Sequence, residues 1–200
     1  MESQFKRIED MLERGLDKFI QKSVQSGDYF SAEKGLATRK WIRYRQKLTY
    51  EQKIGRLFPS GRTRGIMFIG INPSCKSSLT NVWKDNFGIN FAKMLKEAEI
   101  DPYEVWMTNL YKKATENNTP LNKEQIEEGL KEIDLEIGYV WPKVIVCLGK
   151  QVYEAILTIA PEGKWRGIPI VGLLHPSYIM RKPDERPKYL QELNKLLKYE

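Results

Sequence analysis

The sequence predicts an α/β fold of three layers, αβα, around a central, mostly parallel four-stranded sheet, with an N-terminal helical extension. Three observations carry that reading. Four short apolar runs, GIMFIGI (65–71), VWMTN (105–109), VIVCLG (144–149) and IPIVGLL (168–174), are spaced by stretches with helical apolar periodicity. That is the signature of βαβ units. The runs are continuous rather than alternating, as strands covered on both faces require. Each run also meets a glycine or a polar residue at its carboxyl end: Asn72 follows the first, Asn109 ends the second, Gly149 ends the third and His175 follows the fourth. Ligands in such folds bind beyond the carboxyl ends of the strands. Asn72, Asn109 and His175 should therefore converge on one rim.

The helices follow from spacing and caps. Phe5, Ile8, Met11, Leu12, Leu16, Phe19 and Ile20 recur at helical intervals over residues 1–24, although Gly15 weakens the interior of that helix. A second helical stretch is expected from about Lys34 to Leu48, and the turn-like FPSGRTRG marks a boundary near residue 60. The expected organisation is a basic helical extension over 1–60 and an α/β domain over 61–200. Within that domain Phe91, Met94, Leu95 and Ala98 define one helix face. Asn122 begins another helix with Gln125 in the capping-box position, followed by Ile126, Leu130, Ile133 and Ile137 on one face. Val152, Ala155 and Ile156 mark a helix after Gly149, and a basic C-terminal helix closes the chain.

Composition narrows the chemistry. The 200 residues include only one histidine, His175, and two cysteines, Cys75 and Cys147. A site built on several imidazoles is excluded, and neither cysteine has ligand spacing. No metal and no other cofactor are expected. No apolar run approaches the length of a membrane span, and MESQFKRIED lacks the apolar core of a signal peptide. A cytoplasmic or nucleoid-associated location, not a secreted one, is the expectation, with no membrane partner. Lys and Arg number 33 against 26 Asp and Glu, a net charge of +7, which suits a polyanionic partner. The excess is concentrated. Arg39, Lys40, Arg43, Arg45, Lys47, Lys53, Arg56, Arg62 and Arg64 face a single acid, Glu51, and are interleaved with Trp41, Tyr44 and Tyr50. Such a stretch reads either as a surface for phosphates and bases or as a solvated helix face with its aromatics turned inward.

Two segments carry more specific information: Gly70-Ile71-Asn72-Pro73-Ser74 and His175-Pro176-Ser177-Tyr178. They resemble the two signature loops of the uracil-DNA glycosylase superfamily. Thr108-Asn109-Leu110 is similar to its segment holding a base-reading asparagine. NFGINFAKMLKEAEIDPYEVWMTN (86–109) and VIVCLGKQVYEAIL (144–157) resemble, in order and spacing, the intervening stretches of the iron–sulfur branch. The resemblance covers roughly residues 64–199. There are departures. The four cysteine ligands of the iron–sulfur branch are missing, so no cluster is expected. Asn72 stands where that branch usually carries an acid, and GINPS is closer to the GINPG and GMNPG loops of the mismatch-specific and single-strand-selective branches. His175 in its HPS loop instead resembles the single-strand-selective and iron–sulfur branches. The mixture leaves substrate range open among uracil, hydroxymethyluracil and hypoxanthine.

The resemblance implies a monofunctional DNA-repair enzyme that flips a base from the stack and hydrolyses its N-glycosidic bond. Positive charge builds on the sugar, as in ordinary glycoside hydrolysis, and negative charge on the departing base. His175 would donate to the 2-carbonyl oxygen of that base, an interaction worth about 3–4 kcal/mol when well placed. Asn72 cannot ionise, so it would hold and orient the attacking water. Asn109 would read the imide edge, with Ile71 beside it in the pocket. Phe87 would stack on the base, with Trp83 and Phe91 as rivals. Ser74 and Ser177 would grip phosphates, Arg181 would add charge, and Tyr178, Ile179 or Met180 would fill the vacated stack. The same residues have plainer readings: a structural histidine, a turn at Asn72-Pro73, a strand-end Asn109 and a core Phe87. The CKSS run lacks the GxxxxGK[ST] spacing of a phosphate-binding loop.

The leading expectation is thus a glycosylase acting, as a monomer, on DNA that contains uracil or another deaminated base. The alternatives are a hypoxanthine or other modified-base glycosylase, and a catalytically silent nucleic-acid-binding member of the fold. The basic stretch gives its own test. Neutralising Arg39, Lys40, Arg43 and Arg45 together should weaken binding to all duplexes alike, because phosphates carry no sequence information. The salt dependence of affinity should flatten by about one unit of slope for each phosphate no longer neutralised. A slope equal to that of the wild type would leave the stretch as a solvated face.

Overall fold

The computed structural model describes residues 2–27, 35–36, 38–40, 64–74 and 86–199. The expected boundary near residue 60, Cys75, Trp83, most of the helix expected over 34–48 and the basic stretch from Trp41 to Thr63 lie outside them. The chain forms two compact units, residues 1–54 with 134–141, and residues 55–133 with 142–200. In the first, helix α1 (Glu2–Gln25) runs for 24 residues, in line with the apolar spacing read there. Ile20 is buried on it, and Gly35 sits so close that a Cβ would stand 2.5 Å from the Ile20 side chain. Arg39 donates to the Asp17 carboxylate at 2.6 Å.

The second unit is built on a sheet of order β2-β1-β3-β5-β4. Strands β1 (Ile66–Gly70), β2 (Trp106–Asn109), β3 (Val144–Leu148) and β5 (Ile168–Leu173) are the four expected ones and run parallel. All residues of β1 and β3 are buried, which accounts for their continuous apolar runs. A fifth strand, β4 (Lys164–Trp165), adds to the edge antiparallel to β5. Its two-residue turn places both Arg166 and Gly167 at positive φ, 45° and 85°, the tight geometry that matches strand twist. Arginine in the first turn position disguises this hairpin, since Asn or Asp is the usual signal there. Arg166 instead lies over the Trp165 ring, 4.6 Å from its centroid.

Side chains alternate between the two faces of the sheet. Ile66 and Phe68, with Val146 and Met107 of the neighbouring strands, pack against helix α2 (Asn86–Glu97) through Phe91, Met94 and Leu95. Phe91 meets Phe68 edge-on at 5.3 Å. Met67, Ile69, Ile145 and Cys147 point the other way and are equally buried. Helix α3 (Lys123–Val140) opens with the expected capping box: Gln125 N–H donates to Asn122 Oδ1 at 2.9 Å, and Asn122 N–H to Gln125 Oε1 at 3.0 Å. Helix α4 (Lys150–Leu157) lies on the second face, where a Cβ at Gly172 would touch the Tyr153 ring at 3.0 Å. Helices therefore flank both faces, giving the three layers expected. Burial pushes the Cys147 thiol up to about 12, so it acts as a small apolar residue in that layer.

The C-terminal segment departs from a single helix. It forms α5 (Pro176–Arg181), a short turn of 3-10 helix at Pro183–Glu185, and α6 (Arg186–Asn194). Pro183 forces Lys182 out of helical geometry, to φ −130° and ψ 73°. Among the described residues no helix is long and apolar enough to cross a membrane.

Gly129 on α3 decides how closely the helix meets the end of β2. A Cβ there would stand 2.5 Å from the Leu110 carbonyl oxygen, a main-chain atom that cannot swing away. Gly129→Ala gains about 1 kcal/mol of helix propensity but imposes overpacking that typically costs about 1–3 kcal/mol. The clash should win, lowering the thermal midpoint. A midpoint at or above that of the wild type would mean that the helix can shift outward freely.

Candidate active site

The rim begins with the pairing of β1 and β2. Gly70 is registered opposite Asn109, and a Cβ at position 70 would collide with the Asn109 side-chain oxygen. The glycine is what lets the Asn109 amide lie across the end of β1. Two further main-chain bonds carry the pairing past the strand ends: Leu110 N–H donates to the Gly70 carbonyl at 2.7 Å and Tyr111 N–H to the Ile71 carbonyl at 2.9 Å. By alternation Asn109 points to the same face as Met107, the face covered by α2.

His175 leaves the end of β5 and serves as N-cap of α5. Its Nδ1 accepts the Ser177 main-chain N–H at 3.2 Å, with Pro176 at the first helical position. A nitrogen that accepts carries no proton, so in the neutral ring the proton sits on Nε2, which becomes the available donor. The Phe87 ring stacks on the imidazole, centroids 5.4 Å apart and planes inclined by 28°. Phe87 in turn stacks on Phe91 at 5.8 Å, one helical turn away. Gly149, at φ 102°, brings the end of β3 alongside, where a Cβ would lie 3.6 Å from His175 Cβ. The positive φ, more than crowding, calls for glycine here.

Asn72 follows β1 and is half-buried. Its Nδ2 donates to Thr115 Oγ1 and to the Pro73 carbonyl, both at 3.3 Å. The Thr115 hydroxyl spends its one proton on the Thr119 carbonyl, at 2.7 Å. Thr115 can therefore only accept from Asn72, and this settles which end of the amide is which. The nitrogen is tied down and Oδ1 is left as an acceptor. Sequence reasoning missed Thr115. The turn residues after it, Asn117 at positive φ followed by Thr119-Pro120, are the one local sign that the chain folds back there.

A family model described as the uracil DNA glycosylase superfamily matches residues 58–198, more than half of the chain. The chain belongs to that superfamily. Membership brings DNA glycosylase chemistry in the broad sense, the release of a base from its deoxyribose, and with it DNA as the class of substrate. In this member of the superfamily the three polar residues read from the sequence, Asn72, Asn109 and His175, all leave carboxyl ends of parallel strands in one sheet.

The remaining candidates separate by burial. Among the rival aromatics Phe91 is fully buried in the core, whereas Phe87 is half-buried, with its ring stacked on both His175 and Phe91. Ile179 is likewise buried, Met180 is half-buried against the core, and Tyr178 is exposed. Ile71 is half-buried beside Asn72, Ser74 is exposed, and Ser177 is occupied through its main-chain N–H by His175. Arg181 is exposed at the end of α5, and its charge reaches the imidazole.

Burial, and secondarily the Arg181 charge, hold the His175 pKa below its usual value. The folded protein thus binds this proton less readily than the unfolded chain. Stability from the neutral ring is complete above about pH 6.5 and drains away as pH falls through the folded pKa. Because His175 is the chain's one histidine, its imidazole resonances can be followed by NMR without assignment. The midpoint should fall below about 6.5, and Arg181→Gln should move it upward. An ordinary midpoint indifferent to Arg181 would contradict the burial of the ring.

Proposed function

We propose that the protein excises uracil, or a closely related deaminated base, from DNA by monofunctional hydrolysis of the N-glycosidic bond. One observation carries the reading: the Ser177 main-chain N–H occupies His175 Nδ1, leaving Nε2–H as a fixed donor at the strand-end rim. A departing uracil takes its charge as a delocalised anion, and a neutral donor aimed at its carbonyl stabilises that charge as it develops. The bond can therefore break before the base is protonated. The water gives up its proton to solvent after bonding to the sugar, and the released anion takes one from solvent. Asn72, with its amide nitrogen tied to Thr115, presents Oδ1 to a water on the sugar's other side. Water held in this way reacts through placement rather than deprotonation, so slow turnover is expected. In this reading Phe87, half-buried beside His175, is the aromatic that meets the flipped base, and Tyr178 the wedge that replaces it in the stack.

Selectivity against cytosine comes from the Asn109 amide. Uracil offers an acceptor and a donor at its O4 and N3–H, whereas cytosine offers the reverse and would leave buried polar groups unpaired. Hypoxanthine, however, presents the same order of acceptor and donor at O6 and N1–H. The edge alone does not separate those two bases; the larger purine must be rejected, or accepted, by pocket size.

The test is a panel of single- and double-stranded oligonucleotides, each carrying one uracil, hydroxymethyluracil or hypoxanthine, incubated with the protein and then treated with alkali. Strand scission at uracil is expected. His175→Ala should lower the single-turnover rate by more than about tenfold, the scale of one missing oxyanion donor, with little change in affinity for the abasic product. Scission only at hypoxanthine would reassign the substrate, and none at any base would make the protein a silent binding module. A wild-type rate for His175→Ala would remove the histidine from the mechanism.

A further inference from the structure

Several buried ionisable groups are not used by that mechanism, Lys112 among them. Lys112 is only 3% exposed, and a buried ammonium persists only where hydrogen bonds satisfy it. Its Nζ donates to Thr108 Oγ1 at 2.6 Å and to the main-chain carbonyl of Asn109, also at 2.6 Å. Thr108 is itself fully buried. Both bonds are short and charge-assisted, the strong class.

The location explains the need. β2 is the edge strand of the sheet. Leu110 N–H points inward to Gly70, so the neighbouring carbonyl of Asn109 points outward, where no strand among the described residues continues the ladder. Lys112 supplies a partner there. The peptide carrying Asn109 is then held on its inner side by β1 and on its outer side by an ammonium. Thr108 points to the opposite face from Asn109, so the lysine grips the strand end from behind, away from the side chain of Asn109.

We propose that Lys112 is the positioning residue for Asn109, pinning the end of the edge strand so that the amide lies across Gly70 in one placement and reads the base edge. The inference rests on Asn109 acting as base reader. A reading amide must be held to within about half an ångström to discriminate, and an edge strand end held on one side only is poorly suited to that.

A double-mutant cycle on the full chain tests it, using single-turnover excision from a uracil-containing duplex at saturating enzyme. Lys112→Met keeps the apolar stem and removes the donor; it should slow excision by more than about tenfold, and so should Asn109→Ala. In the double variant the two effects should not multiply: Lys112→Met should cost less than about twofold once the Asn109 amide is gone. Affinity for an undamaged duplex should stay at the wild-type value, since no group facing phosphate is altered. Should Lys112→Met fail to fold, Thr108→Val, which deletes one acceptor at constant volume, enters the same cycle with a severalfold slowing that disappears in the Asn109→Ala background. Effects that multiply, or a wild-type rate for Lys112→Met, would overturn the inference while leaving Asn109 as the reader. A wild-type rate for Asn109→Ala would remove the reader itself, and the inference with it.

Discussion

The parallel registration of β1 between β2 and β3 is the constraint on which the rest of the α/β unit depends. It aligns the carboxyl ends of the strands, so that residues far apart in sequence leave the sheet at one level. It also sets which side chains meet: Gly70 stands opposite Asn109, and only the absence of a Cβ lets the amide occupy that space. A shift of one residue in β2 would turn Asn109 to the other face and bury Thr108 against α2. The continuous burial of β1 and β3 makes such a shift costly, because every residue already contributes apolar area to one core face or the other.

The polar groups of the rim share a further property. Each is oriented by a group that plays no part in the proposed chemistry: His175 by the Ser177 N–H, Asn72 by the Thr115 hydroxyl, and the strand end at Asn109 by Lys112. Dipoles fixed in advance stabilise developing charge without reorganising during the reaction. A neutral imidazole belongs to this pattern. Burial disfavours its charged form, the nearby Arg181 adds to that, and the occupied Nδ1 defines its donor. Such a rim does its work through geometry, which suits a reaction whose leaving group needs a hydrogen bond rather than a proton.

Membership of the uracil DNA glycosylase superfamily accounts for the α/β unit and leaves α1 and most of the basic stretch after it without a family explanation. Arg39 is among the described residues of that stretch. It belongs to a run of nine basic residues with one acid, yet it pairs with Asp17 on α1, an acid twenty-two residues earlier. A partly exposed pair of this kind contributes little to stability, but it does decide where the side chain points.

What the sequence determined by itself was local and periodic. Four apolar runs gave four parallel strands, the Asn122–Gln125 pair gave a capping box, and glycine or polar residues at strand ends indicated the rim. These features are legible because backbone geometry imposes a fixed period and caps need particular side chains within three residues. The β4 hairpin was not legible, since Arg166 takes a positive φ that its residue type rarely adopts. Nor was the break in the C-terminal helix, although Pro183 marks it. Only the tertiary structure decided which aromatic packs on the histidine, for Phe87 and Phe91 sit on one helix face and it is Phe87 that stacks on His175. Likewise Thr115 and Lys112 have no motif around them. Their parts depend on a hydroxyl proton already committed to Thr119 and on a carbonyl left outward at a sheet edge, and both are settled by where the chain folds back in space.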